Sequence, residues 1–194
     1  SLHFLRSSEL FYTFILMTIL QFSLAASLLS ITYGVFLIMG VMKKSPGDSK
    51  MQTVAKAIQE SASAYLRRQN LTVLGVGVLI AAAMWQWFDR MTVYGFIVGA
   101  LTSMLAGYIG MMVSVRANVR VTEEAKKGVR RAFVLAYRGG AVTGFFVVGL
   151  ALASVTGFYG LSHDLNALGG LALGASLISI FACLGGGIFA KGAD

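Results

Sequence analysis

The sequence predicts an all-α integral membrane protein with five transmembrane helices, the N-terminus outside and the C-terminus inside. Three observations carry this. The 194 residues are 57% hydrophobic and 12% charged, whereas soluble domains average roughly 45–50% and 25%. The apolar residues gather into five stretches, each near the roughly 20 residues that cross a bilayer as a helix. The chain also has 23 glycines beside a single proline, which suits helices that pack closely through small residues and are rarely broken. A soluble globule and a disordered chain are excluded. One cysteine excludes a disulfide framework.

The first span covers about residues 10–42, long enough to tilt or protrude. The second, about 71–88, is short by itself. Ahead of it Met51, Val54, Ile58, Tyr65 and Leu66 recur at roughly helical spacing. One long helix therefore enters the membrane from a cytosolic extension beginning at residue 51. The third, fourth and fifth spans cover about 91–115, 132–159 and 165–190. None alternates in the manner of a barrel strand. Ser45-Pro46-Gly47-Asp48 is a turn signal between the first span and the second helix. The leading apolar segment is too long for a signal peptide and ends in no cleavage pattern, so it reads as a span of a single membrane domain over residues 1–194.

Lysine and arginine accumulate on the cytoplasmic side of membrane proteins and fix orientation. Lys43, Lys44, Lys50, Lys56, Arg67 and Arg68 lie between the first two spans, and Arg116, Arg120, Lys126, Lys127, Arg130 and Arg131 between the third and fourth. With Lys191, these make thirteen of the sixteen basic residues on one side. Most of the net charge of +8 is thereby a topology signal, and no nucleic-acid partner is expected; the partner implied is membrane lipid. Trp85-Gln86-Trp87-Phe88-Asp89-Arg90 fits the opposite interface, where amphipathic rings sit at headgroup depth.

Small residues four apart, Gly95 with Gly99, Gly140 with Gly144 and Gly170 with Gly174, each share one helix face and predict close helix packing. Gly185-Gly186-Gly187, near the inner end of the fifth span, weakens that helix by up to about 1 kcal/mol per residue relative to alanine. Two readings account for it: tight packing against a neighbour, or backbone approach to a ligand. Lys191 and Asp194, three residues apart, share a face on which a cation and a carboxylate could hold a phosphate and its metal; the other reading is a snorkelling lysine and a solvated helix end. Arg138 lies inside an apolar run, where it must snorkel or find a partner such as Glu123 or Glu124. His3 and His163 have no ligand-spaced companions. No nucleophilic triad and no paired carboxylates lie inside the spans.

Several ordered motifs resemble the membrane-bound inorganic pyrophosphatases, the ion-pumping family. One set comprises Gly107-x-x-Gly110-Met111, Ala117-Asn118-x-Arg120, the basic run from Glu124 to Arg131, and Arg138-x-Gly140-Ala141-Val142-x-Gly144-Phe145, similar to the family's third span, inner loop and fourth span. Another is Gly185-Gly186-Gly187-Ile188-Phe189-Ala190-Lys191-Gly192-Ala193-Asp194, similar to the inner end of its fifth span, where an acidic pyrophosphate signature begins. Ala57, Ser61 to Ala64 and Arg67-Arg68 add a weaker match.

The resemblance implies that the chain is the N-terminal part of a sixteen-helix subunit of a homodimer that couples Mg²⁺-dependent pyrophosphate hydrolysis to proton or sodium transport, with K⁺ as a second cofactor in some members. Lys191 would contact pyrophosphate, and Asp194 would join a carboxylate cage for magnesium and substrate. The membrane would be a bacterial or archaeal plasma membrane or a vacuole-like one. Cys183 stands where the family usually has an arginine of the ion pathway, and Ser176, seven residues earlier, shares its face. Ala190 replaces a usual threonine. Most carboxylates of the cage would come from the remainder of the same polypeptide, so these residues alone are expected to be inactive. The competing expectation is a non-catalytic scaffold or transporter subunit that retains the fold.

Overall fold

In the computed structural model the backbone is described for residues 2–193 and side chains for residues 14–184. Five helices follow in order: α1 (Leu2–Met42), α2 (Ser49–Trp87), α3 (Arg90–Ala125), α4 (Val129–Ser162) and α5 (Leu165–Ala193). All five contain stretches long and apolar enough to cross a membrane, and the described residues contain no strand. The protein is a multi-pass integral membrane protein.

At 1.5 Å per residue, the 39 residues of α2 extend about 58 Å, nearly twice the roughly 30 Å hydrocarbon core. Its first half carries Lys50, Lys56, Glu60, Arg67 and Arg68 and therefore projects beyond the apolar layer. The helix starts where Asp48 accepts the Met51 amide at 2.9 Å, which satisfies one of the orphan N–H groups of the first turn. Gly47 precedes it at φ +81°, a left-handed position that glycine occupies without cost. Asp89 caps α3 in the same way, accepting Thr92 N–H at 3.0 Å and Thr92 Oγ1–H at 2.6 Å.

Connections of two or three residues join α2 to α3, α3 to α4 and α4 to α5, so successive helices run antiparallel. The C-terminal ends of α1, α3 and α5 and the N-terminal ends of α2 and α4 consequently share one end of the bundle. This is the basic end. α3 is central, packing on α5, α4 and α2, while α1 lies against α4.

Burial is concentrated in small clusters at these crossings. Leu37, Val113, Val142 and Phe146 join α1, α3 and α4; Val41, Ala117 and Leu135 extend that seam toward the basic end; Met84, Val93 and Phe96 join α2 to α3. Large apolar side chains such as Phe22, Leu29 and Leu79 point outward, as expected where the surroundings are as apolar as the interior.

Glycine sets the closest approach. A Cβ at Gly95 or Gly99 would overlap backbone of Ala167 and Leu171, and one at Gly170 or Gly174 would overlap carbonyl oxygens of Thr92 and Phe96. The two pairs predicted on separate spans thus face each other across the α3–α5 crossing, with Ser103 Oγ donating to Ala175 O at 3.2 Å. Gly140 and Gly144 differ from expectation, because nothing lies within 4 Å of a Cβ at either. The packing glycines of α4 are Gly139, against Ala117, and Gly149, against Ser27 and Ile31. They share a face with the buried Val142 and Phe146, at offsets of three and seven residues that keep a helix stripe aligned.

Candidate functional site

Of the residues singled out for chemistry, Ser176, Cys183 and Lys191 lie on α5. Its α3-facing stripe consists of Ala167, Gly170, Leu171, Gly174 and Ile178, all buried. At about 100° per residue, Ser176 and Cys183 lie on the opposite side of the helix, and both are exposed. Spacing put them on one face, and the structure brings them to one face, turned away from the other four helices. The backbone of α5 continues as helix through the glycine triplet to Ala193. Asp194 lies outside the described residues, as does the side chain of Lys191.

A cavity of about 550 Å³ opens among α2, α3, α4 and α5, and polar groups face it within the apolar zone: Gln69, Thr102, Ser103, Ser154 and Ser179. Gln69 Oε1 is buried there without a hydrogen-bond partner among the described residues. Hydrophobic periodicity draws no attention to these positions, since isolated Ser and Thr side chains inside a span satisfy themselves on helix carbonyls: Thr102 donates to Val98 O at 2.7 Å and Ser154 to Ala151 O at 3.0 Å. Only the packing of several helices reveals that they converge.

At the basic end Asp48, Glu123 and Glu124 are already engaged. Lys126 bridges Glu123 at 2.7 Å and Asp48 at 3.4 Å, and Lys127 bridges Glu124 at 2.9 Å. Arg138 is thus not paired with Glu123 or Glu124; each carboxylate is taken by the lysine one turn beyond it, whose sequence separation of three needs no tertiary contact. The amide of Met51 holds the Asp48 carboxyl below its ordinary range, and the hydrogen bond from Lys126 to Glu123 raises the lysine above its ordinary value. Arg120 donates to Lys44 O at 3.1 Å and to Arg116 O at 2.7 Å, which ties the end of α1 to α3.

Magnesium would require several converging oxygen ligands. Among the described residues no group of three His, Cys, Asp or Glu side chains converges, so this portion does not by itself fit the ion.

At the opposite end, the Arg90 guanidinium lies 5.7 Å from the centre of the Trp85 ring, which also meets Tyr94 edge-on at 6.2 Å. Trp87 and Phe88 are exposed beside them. One cation and a cluster of amphipathic rings make an interfacial anchor.

Comparison with known proteins agrees with this architecture. The family model described as inorganic H⁺ pyrophosphatase matches residues 28–194. A K⁺-insensitive pyrophosphate-energized proton pump of Methanosarcina mazei is 44% identical over 171 residues, which is 87% of this chain and 26% of that protein. Its counterpart, pump 2 of Moorella thermoacetica, is 40% identical over 178 residues, 88% of this chain and 26% of that one. The pyrophosphate-energized membrane proton pump 3 of Arabidopsis thaliana is 32% identical over 210 residues, 91% of this chain and 26% of that one. The chain spans about a quarter of the length of these relatives. With the five membrane-spanning helices and the match over most of their length, the chain belongs to the inorganic H⁺ pyrophosphatase family.

Proposed function

We propose that this chain is the N-terminal part of a membrane pyrophosphatase that couples Mg²⁺-dependent hydrolysis of pyrophosphate to the movement of protons across the membrane. The observation that supports the reading is the family match, which includes Lys191 to Asp194. In this reading Lys191 offsets negative charge on pyrophosphate, and Asp194 supplies one carboxylate of a cage completed by the remainder of the polypeptide. Relatives named proton pumps favour H⁺ over Na⁺ as the transported ion, and their K⁺-insensitivity favours a reaction without potassium. The ion passes along the face of α5 bearing Ser176 and Cys183, whose exposure here leaves it free to meet helices of the same polypeptide or of a second subunit in a homodimer.

The test is pyrophosphate hydrolysis and vesicle acidification by the full polypeptide. Both activities are expected to require Mg²⁺ and to fall at least tenfold in Lys191→Ala, the loss of one charge-assisted contact to a phosphate. The 194 residues alone are expected to release no phosphate; Mg²⁺-dependent release by them would overturn the division of the site.

A second reading rests on Cys183, which stands where the resemblance places an arginine. If that departure has removed transport, the protein is a scaffold or transporter subunit that retains the fold. Comparison of Cys183 with Cys183→Arg separates the two: acidification already present with Cys183 supports the pump, and hydrolysis and acidification absent from both chains support the scaffold.

A further inference from the structure

We propose that the basic end of the bundle carries a binding site for the phosphate headgroup of an anionic phospholipid, formed by Lys44, Lys127, Arg130, Arg131 and Arg138. These five side chains line a cavity of about 480 Å³ between the ends of α1 and α3 and the first turns of α4. A single carboxylate, Glu124, shares the cavity, and it is already bonded to Lys127 at 2.9 Å. Lys44, Arg130, Arg131 and Arg138 have no carboxylate within ion-pair distance among the described residues. Convergent like charges repel, so a cavity of this composition favours an anion.

The depth of the arginines selects a lipid over a free anion. Arg131, Leu135 and Arg138 follow at intervals of four and three residues, one face of α4. Arg138 stands about 10 Å farther along the helix than Arg131, inside the apolar run, where an unpaired guanidinium is costly. The cavity wall there is Val134 and Leu135. Val134 is 41% exposed there. A phosphate in the cavity therefore has an apolar surface beside it on the membrane side, which acyl chains would cover and which an inorganic anion would leave bare. Basic pockets between spans at the membrane surface bind anionic headgroups on these terms. The cavity is lined from the ends of α1 and α3 and from α4, and none of its residues is one assigned to pyrophosphate.

The test uses the full polypeptide purified in a neutral detergent, with lipid retention measured by native mass spectrometry. Dioleoyl phosphatidylglycerol is expected to be retained in preference to dioleoyl phosphatidylcholine. Arg131→Gln and Arg138→Gln should each weaken its binding about fivefold, the worth of one basic residue near a charged surface. Arg131→Lys with Arg138→Lys should keep the preference, and Arg67→Gln, on α2 outside the cavity, should leave it unchanged; matching elution volumes and helical content of each variant exclude misfolding. Millimolar inorganic phosphate should not displace the lipid. Equal retention of the two lipids, unchanged binding in the folded glutamine variants, or displacement by inorganic phosphate overturns the proposal, the last because the site would then be a plain anion site.

Discussion

Asp89 shows how one side chain settles where a span begins. Its carboxylate accepts both the hydroxyl and the amide of Thr92, and these hydrogen bonds, the hydroxyl first, hold it below its ordinary value of 3.8. Because the folded value is the lower one, the contribution of this cap is complete above the ordinary value and disappears as pH falls through the lowered one. Amide exchange at Thr92 should show a protection factor that holds above about pH 4 and drops as the pH falls below it. Asp89→Asn keeps a capping oxygen and should flatten that dependence; Asp89→Ala should be poorly protected throughout. The position was legible in sequence as part of an aromatic, polar hairpin. Its role as a cap was not, because capping depends on the extended backbone at Asp89, φ −67° and ψ 156°, which only the turn reveals.

Between helices, the α3–α5 crossing is the contact least able to absorb change. A side chain on Gly99 or Gly174 would meet a carbonyl of the facing backbone, which cannot rotate aside. Gly99→Leu or Gly174→Leu should therefore cost about 3 kcal/mol, the upper part of the overpacking range, visible as a lowered midpoint in a thermal or denaturant titration. Gly140→Ala, which meets open space, should not destabilise the isolated chain and should raise its stability by up to about 1 kcal/mol. Spacing of four residues identified Gly95, Gly99, Gly170 and Gly174 correctly as packing positions and failed for Gly140 and Gly144. A small-xxx-small pair tells that a backbone can approach, whereas which face of α4 meets α1 and α3 is decided by the larger buried Val142 and Phe146 one residue out of register with it. That stripe, running through Gly139 and Gly149, was present in the sequence and obscured by the neighbouring glycines.

For the whole molecule, five spans were legible because length and apolarity alone determine whether a helix can cross a bilayer. The face shared by Ser176 and Cys183 followed from a separation of seven. The polar cavity around Gln69, Ser103 and Ser179 was not readable, since it joins residues of different helices whose packing partners no periodicity specifies. The roles proposed for Lys191 and Asp194 rest on family motifs, and spacing alone leaves them open. Orientation is tested in a Cys183→Ser background: His163→Cys, at the α4–α5 connection, should react with an impermeant maleimide from outside the cell, and Ser45→Cys, at the α1–α2 connection, only after permeabilisation. The reverse pattern would refute an outside N-terminus. The glycine contact between α3 and α5 has one further mechanical consequence. Helices held backbone to backbone have no side-chain cushion in which a small displacement can be lost, so the two form a single lever. Because the contact lies over residues 92–103 of α3, a tilt of α5 would be passed directly to the end of α3 that holds Tyr94 against Trp85.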